Sequence, residues 1–394
     1  MPDKLAIDGG PKVRSEPFPR WPMLGPDDAV AVAAVLESGK LTQLTGPSVE
    51  QFEERFAAYH GAPHCVATSS GTTAIHAALI ALGVDEGDEV IVPAHTFIAS
   101  ATPVLHQRAV PVFADVDERT FCISPDSVRE RITGHTKAIV AVHLNGHSAD
   151  LDPLLEIANE RGIPLIEDAA QAHGAKYKDR FVGTIGAAGC FSFWEDKIIT
   201  TGGEGGAIFC GDPALVERMQ RIRHHGEGPM ESNGQRAYYH LDLGYNYRMT
   251  SMQAATGLTQ LHRLDEYLIA RRRNASLLTT LLADVPHIQT PFVANYAVHS
   301  YYKYICRLSP DSGIGITRFV AAVAAEGLPI SRRYPTPLPQ QPVFRHASLG
   351  GAPCLTAERL TGELFTLLVH PTASVREMED YAAAISKVVA ALAR

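Results

Sequence analysis

Lys197 stands in the run Cys-Phe-Ser-Phe-Trp-Glu-Asp-Lys-Ile-Ile-Thr-Thr-Gly-Gly-Glu-Gly-Gly at 190–206, between a short apolar stretch and a glycine-dense turn. A lysine at the end of a buried strand, followed by backbone flexible enough to admit a flat ligand, suits covalent capture of a carbonyl carbon as a Schiff base. A solvated lysine before a turn has the same local sequence, because ammonium groups are rarely buried unpaired. Only residues elsewhere in the chain can separate these readings.

Three other segments carry polar groups where apolar runs end. Ser69-Ser70-Gly71-Thr72-Thr73 opens a helical pattern, and the free amides of a helix N-terminus form a phosphate cradle. The glycine-lysine pair of a Walker loop is missing, and Ser70 also suits a plain helix cap. Pro93-Ala-His-Thr-Phe97 sets an imidazole and a ring at a strand end, where Phe97 could stack on a planar heterocycle or join the core. Glu167-Asp168-Ala-Ala-Gln171-Ala-His173 sets a carboxylate, an amide and an imidazole on a strand-to-helix turn. Asp168 could cap a helix there, but after Leu165-Ile166 it holds a charge at a buried position and needs a cationic partner. A protonated pyridine nitrogen would supply one. A phosphate cradle, an aromatic stack, a buried carboxylate and a lysine together are what pyridoxal phosphate requires.

The elements that must position these groups are legible as a pattern. Runs at 64–68, 89–92, 110–113, 138–142, 164–167 and 189–193 are short and almost continuously apolar, as strands buried on both faces are. Helical periodicity at 73–82 and 151–161 separates them. The fold class is therefore α/β, a mostly parallel central sheet flanked by helices. Ligand groups in such sheets cluster just past the strands' C-terminal ends. Residues 252–282 read as one long helix leaving the sheet. Beyond it, a Tyr-rich strand at 301–306, a helix at 318–326, a proline-rich loop at 334–342 and a terminal helix at 375–392 make a smaller C-terminal α+β domain. The expected division is an N-terminal arm at 1–25, a large domain at 26–265 and a small one at 266–394.

Composition narrows the function classes. With 394 residues, 45% of them hydrophobic, the chain can bury a large core, and its formal charge of −8 opposes attraction to nucleic acid or anionic membrane. The N-terminus carries charge where a secretory signal needs apolar residues, and no run reaches membrane-spanning length, so a cytoplasmic protein is expected. Six scattered cysteines without a CxxC pair fit free thiols in a reducing compartment. His143 and His147 are four apart, but Asn145-Gly146 between them signals a turn rather than a helical ligand pair, and no metal is expected.

Five ordered motifs carry a resemblance. Ser-Gly-Thr-Thr-Ala-Ile at 70–75, Val-Pro-Ala-His-Thr-Phe at 92–97, Ile-Glu-Asp-Ala-Ala-Gln-Ala-His-Gly at 166–174, the lysine segment and Gly-Tyr-Asn-Tyr-Arg-Met at 244–249 resemble the DegT/DnrJ/StrS family of sugar aminotransferases, from about residue 18 onward. The resemblance implies the fold-type-I transferase architecture, pyridoxal 5'-phosphate with its pyridoxamine form, and a homodimer with active sites at the interface. It further implies that Lys197 is the Schiff-base lysine, that Asp168 pairs with the pyridinium nitrogen, and that Gln171 lies near the cofactor's 3-hydroxyl. Ser70, Gly71, Thr72 and Ser192 would meet the phosphate, Phe97 would stack on the ring, and Asn246 would reach the phosphate from the other subunit. His173, Tyr334 and Arg332 are the expected substrate contacts. Residues 334–344 resemble the family's tyrosine-proline-proline-leucine loop, with Pro339 where many members have histidine, which removes one ligand contact.

The expected reaction moves an amino group, from glutamate by first reading, to the ketone of a nucleotide-activated deoxysugar in amino-sugar or secondary-metabolite biosynthesis. A cyclitol ketone of the inosose type, with glutamine or glutamate as donor, fits the same residues. An aminodehydroquinate-type synthase fits them less well, because the 334–344 loop is closer to the sugar branch. Sugar 3-dehydratases of the superfamily replace the lysine with histidine, and here Lys197 is present. A regulator or scaffold keeping the fold has no need of a buried carboxylate opposite a lysine. Specificity is expected in the loops at 224–240 and 331–344, where Arg223, His224, His225, Arg332 and Arg333 could meet a diphosphate or face solvent.

Overall fold

Apolar runs without polar alternation pair with one another only if helices cover both faces of the resulting sheet. A computed structural model, describing residues 4–228, 238–345 and 352–393, shows that arrangement. The strands in chain order are β1 (Cys65–Thr68), β2 (Glu89–Pro93), β3 (Val110–Ala114), β4 (Thr136–Val142), β5 (Leu165–Asp168), the short hairpin β6 (Lys176–Tyr177) and β7 (Arg180–Phe181), then β8 (Ala188–Ser192) and β9 (Gly206–Phe209). Seven of them form one sheet in the order β1-β9-β8-β5-β4-β2-β3. Neighbours from β8 to β3 run parallel, and β9 is antiparallel to both β8 and β1. Five parallel strands thus deliver their C-terminal ends to one edge, where Ser192, Asp168 and Pro93 lie.

The six expected strands coincide with β1 to β5 and β8 within one or two residues. β9 was not expected. It is only Gly-Ala-Ile-Phe, directly behind the glycine turn, and its antiparallel direction follows from that tight return. The helices expected at 73–82 and 151–161 are Gly71–Ala81 and Leu151–Arg161. The single helix expected over 252–282 is instead two, Ser251–His262 and Leu264–Leu282, broken at Arg263. Its guanidinium is held by Asp27 and, at 3.0 Å, by Asp28 in the first turn of the helix Pro26–Ser38.

The remaining strands are β10 (Ile288–Gln289), β11 (Ala297–Val298), β12 (Tyr304–Leu308), β13 (Ile330–Arg332) and β14 (Leu364–Leu367). Four make a second sheet, β10-β12-β14-β13, while β11 extends the β6/β7 hairpin. Helices Ile316–Ala325 and Val375–Leu392 accompany the second sheet. The strand expected at 301–306 begins three residues later, because Tyr301 takes a left-handed conformation (φ 51°) that ends regular extension. The apolar interior has two parts. One surrounds the large sheet and also takes in Leu338 and Phe344 of the proline-rich loop; the other gathers Phe319, Phe365, Tyr381 and Ile385 together with Leu5 from the N-terminal segment. All six cysteines are buried and unpaired.

Glu167 ties the sheet to the loop before β8. Its fully buried carboxylate accepts from the amides of Gly183 (2.7 Å), Ile185 (2.6 Å) and Gly186 (2.6 Å), and sits 2.9 Å from His143 Nε2. Burial alone would push its carboxyl up, yet His143 and these amides hold it below the usual range. A carboxyl depressed on folding contributes stability above its unfolded value of about 4.3, and that contribution is lost as pH falls through the folded value. Glu167→Leu leaves the three amides and His143 without their acceptor, and is expected to lower stability by about 3–5 kcal/mol, read as an earlier denaturant midpoint at pH 7. The variant should also lose part of the wild type's acid sensitivity below about pH 5, and a wild-type-like midpoint would contradict the role assigned to Glu167.

Candidate active site

The strand edge described above opens on a cavity of about 680 Å³. Its lining draws on sequence-distant segments: Ser70, Gly71 and Thr72; Phe97; Asp168 and Gln171; Ser192, Trp194, Asp196 and Lys197; Tyr302 and Lys303; Arg333 and Tyr334. Of the residues expected to act together, Lys197, Asp168, Gln171, Ser70, Gly71, Thr72, Ser192, Phe97 and Tyr334 all face this one space.

The backbone after β8 places the lysine. Thr200 Oγ1 donates to the Phe193 carbonyl (3.0 Å) and accepts from the Gly202 amide (3.2 Å), folding 193–203 into a closed turn. Gly203 sits at φ 130°, where a side chain would be strained, and its carbonyl receives the Glu195 amide. Lys197 thereby projects its chain into the cavity with its residue only 9% exposed. It forms no ion pair among the described residues, and its ammonium lies 4.7 Å from the centre of the Tyr302 ring. Burial, opposed by Asp168 and reinforced by Arg333, lowers its pKa to about 8. An amine titrating there is neutral often enough near pH 7 to act as nucleophile or base.

Asp168 closes β5. One oxygen accepts from Ser100 Oγ at 2.6 Å and the other from the Ala170 amide at 3.1 Å, so it is held while facing the cavity. Neither contact is a cation, and the charge is 5% exposed. Gln171 is fixed at every polar atom: Oε1 accepts from the Asn145 amide (3.0 Å) and from Arg333 (2.7 Å), and Nε2 donates to Tyr334 (2.9 Å). Arg333 in turn lies over the Tyr334 ring, 4.1 Å from its centre.

At the start of helix Gly71–Ala81 the Ser70 hydroxyl accepts from the Thr73 amide (3.2 Å) while Thr73 Oγ1 accepts from the Ser70 amide (3.0 Å). The cap therefore engages the Ser70 hydroxyl, and the amides of Gly71 and Thr72 are the ones a helix leaves unpaired. A Cβ added at Gly71 would stand 2.7 Å from Ser192 Cβ, so helix start and strand end meet at a point where only glycine fits. Phe97 (55% exposed) and Trp194 (41% exposed) offer ring surface at the mouth.

These features fit pyridoxal phosphate on the structure's own terms. A buried carboxylate without a cation, a buried lysine without a counter-ion, and two first-turn amides beside a small-residue contact could hold the ring nitrogen, the carbonyl and the phosphate.

Two expected substrate contacts are corrected. His173 is fully buried, packed against Phe191 and Phe193 with ring centres 5.5 Å away, and does not line the cavity; the apolar shell pushes its pKa well below the usual range. Arg332 turns away and donates to the Thr361 carbonyl (2.9 Å), because alternation along β13 puts its neighbour Arg333 on the cavity side instead. Arg223 is likewise a structural pin, buried against Glu53 and the Ala67 carbonyl (2.8 Å). Residues 229–237 of the expected specificity loop lie outside the described residues. Asn246 bridges to His224 and is absent from the cavity lining of its own chain. His143 and His147 flank a tight turn at 144–146 and turn to Glu167 and to the Ser148 carbonyl. Among the described residues no group of three metal-ligating side chains exists.

Sequence reasoning did not single out Ser100, Trp194, Asp196, Glu204, Tyr302 or Lys303, although all but Ser100 line the cavity. One signal was present: Lys303 inside an apolar, aromatic run is an ammonium that requires a partner, and Asp196 is that partner at 2.6 Å.

Comparison with known proteins gives the family. A family model described as the DegT/DnrJ/EryC1/StrS aminotransferase family matches residues 22–386. The chain is 41% identical over 360 residues to an L-glutamine:2-deoxy-scyllo-inosose aminotransferase of Streptomyces kanamyceticus, covering 88% of this chain and 83% of the relative. It is 39% identical over 345 residues to a GDP-perosamine synthase of Caulobacter vibrioides, covering 87% and 91%. Among solved structures, an aminotransferase from Psychrobacter cryohalolentis superposes with a TM-score of 0.90 at 34% identity, covering 96% of this chain and all of that one.

Gly71→Ala tests the cradle. The added methyl must displace Ser192, so affinity for pyridoxal phosphate, titrated by absorbance into apoprotein, is expected to fall at least tenfold, or about 1.4 kcal/mol, alongside the lower thermal midpoint that an overpacked contact brings. Unchanged affinity would remove the helix start from the phosphate site.

Proposed function

We infer the reaction from one premise: the chain belongs to the DegT/DnrJ/EryC1/StrS aminotransferase family and is a pyridoxal-phosphate-dependent aminotransferase. The acceptor we propose is the ketone of a polyhydroxylated six-membered ring, foremost a free cyclitol of the inosose type, with glutamine as amino donor. The observation that carries this choice is the state of the cavity's cations. Among the described lining residues, Lys197 serves the chemistry and Lys303 is paired with Asp196, which leaves Arg333, bonded through one nitrogen to the neutral Gln171, as the single cation facing substrate against the two negative charges of a diphosphate. The Glu204 carboxylate lines the same space and suits a hydroxyl donor. The match to an inosose aminotransferase supports the choice. The nucleotide-linked deoxysugar reading is favoured by the comparable match to GDP-perosamine synthase.

In this reading Lys197 Nζ anchors the cofactor between turnovers and, once released, takes the proton from the donor's α-carbon and returns one to the acceptor carbon. Bound pyridoxal phosphate supplies the electron sink and carries the amino group between the two half-reactions. The Asp168 carboxylate, held by Ser100 and the Ala170 amide, keeps a proton on the ring nitrogen, and Gln171 fixes the ring's edge. Gly71, Thr72 and Ser192, beside the cap residue Ser70, receive the phosphate, and Phe97 covers the ring. Tyr334 and Arg333 are placed to meet substrate.

The same proposal includes a cytoplasmic homodimer and the three-part division of the chain. No helix among the described residues is long and apolar enough to cross a membrane. Exposed Val30, Leu36, Tyr238, Leu241 and Leu243 offer apolar surface for a second copy, and Asn246, remote from its own cavity, suits a neighbour's.

Purified protein offered glutamine with 2-deoxy-scyllo-inosose is expected to form the aminocyclitol, detected by mass, with kcat/KM about a hundredfold above that for nucleotide-linked 4-keto-6-deoxyhexoses, a difference the size of one well-used binding contrast. Turnover confined to the nucleotide sugars would refute the cyclitol reading. Light scattering should give twice the chain mass, and an active monomer would refute the shared site.

A further inference from the structure

Beside the reactive lysine lies a second one that the chemistry leaves without a task. Lys303, from the segment preceding β12, is 8% exposed, lines the cavity, and donates to Asp196 Oδ2 at 2.6 Å. The Tyr302 hydroxyl approaches the same oxygen at 3.3 Å. Both ammonium groups address one ring, Lys197 at 4.7 Å and Lys303 at 4.9 Å from the Tyr302 centre. Asp196 is the residue adjacent to Lys197, and after Asp168 its carboxylate is the negative charge that acts most on the Lys197 amine. Holding Lys303 here is costly as packing. A buried ion pair contributes little net stability compared with apolar side chains of similar size, and Arg271 and His370 already crowd Lys303 with like charge or its potential.

We propose that Lys303 is a positioning residue for Lys197: it captures the Asp196 carboxylate, with Tyr302 as spacer and second donor, so that the reactive lysine keeps no counter-ion on its own turn. The inference rests on the assignment of Lys197 made above. An amine paired with an adjacent carboxylate stays protonated and cannot attack a carbonyl, whereas an amine facing a neutralised carboxylate can. The other groups facing Lys197 are Asp168 from β5, Arg333 and Tyr334 beyond β13, Glu204 on the far side of its own turn, and His173 behind it. Asp168 acts on the cofactor's nitrogen and is held by its own donors, and Arg333 reinforces the effect of Lys303. Burial and Asp168 act on the amine more strongly, and Asp196 is the contributing carboxylate whose state Lys303 sets.

The test follows the visible absorbance of the holoenzyme against pH, which reads protonation of the Lys197 nitrogen. Lys303→Met frees Asp196 and is expected to raise the midpoint by about one pH unit, the low end of what an opposite charge at ~4–6 Å produces. Lys303→Arg should keep the wild-type midpoint, and Lys303→Met combined with Asp196→Asn should restore it. A Lys303→Met midpoint equal to wild type, or a double variant that stays shifted, overturns the proposal. If Lys303→Met does not retain cofactor, Asp196→Asn alone decides: it leaves the Lys303 ammonium unpaired beside Lys197 and is expected to lower the midpoint, and no change overturns the proposal. Lys197→Ala separates the two levels, since an absorbance band surviving in that variant defeats the lysine assignment itself rather than the role of Lys303.

Discussion

Two consecutive carboxylates at the end of one buried strand impose the main constraint on this structure. Side chains alternate along β5, so Glu167 and Asp168 point to opposite faces of a sheet that helices cover on both sides. Neither charge reaches bulk water, and each must be met by protein or ligand. On one face Glu167 is met completely, by His143 and three amides of the loop that leads into β8. That loop sets where β8 begins, and β8 sets where Lys197 emerges. On the other face the donors Asp168 finds among the described residues, Ser100 and the Ala170 amide, are neutral. The difference between them divides scaffold from site: a satisfied buried charge builds the frame, and an adjacent charge without a cation awaits one.

The same division explains what was legible in the sequence. The strands that carry the site are continuous apolar runs, and burial on both faces leaves few other readings for them, so β1 to β5 and β8 stood out. Their ends are marked by small and polar residues, which is why Ser70, Gly71, Phe97, Asp168, Gln171, Ser192 and Lys197 could be gathered before any distance was known. β9 was illegible, because four residues behind a glycine turn carry too little pattern to declare a strand. The break at Arg263 was also illegible: no glycine or proline marks it, and the residue is held by Asp27 and Asp28, more than two hundred positions away.

The misplaced substrate contacts share one cause. Arg332 stands beside a true lining position and His173 two residues from one, and in each case the local backbone turns the side chain away. His173 follows Gln171 by two residues, but the chain has left β5 there and enters a turn, so the imidazole falls among Phe56, Phe191 and Phe193. Arg332 precedes Arg333 in a short strand, where a shift of one residue exchanges faces. A motif locates a segment, whereas the face a side chain takes depends on pairing that only the folded sheet supplies.

Charge bookkeeping in the cavity joins these observations to specificity. A site that binds a nucleotide diphosphate keeps cations available for it, since phosphate recognition rests on guanidinium and ammonium groups with free donors. Here, of the cations in the described lining, Lys303 holds Asp196 beside Lys197, and Arg333, which braces Gln171 through one nitrogen and covers Tyr334, is the single one left facing substrate. The arrangement commits positive charge to preparing the amine and leaves hydroxyl acceptors facing the open space. An uncharged polyol ring asks of a cavity what this one provides, which is shape, acceptors and a lysine kept ready to react.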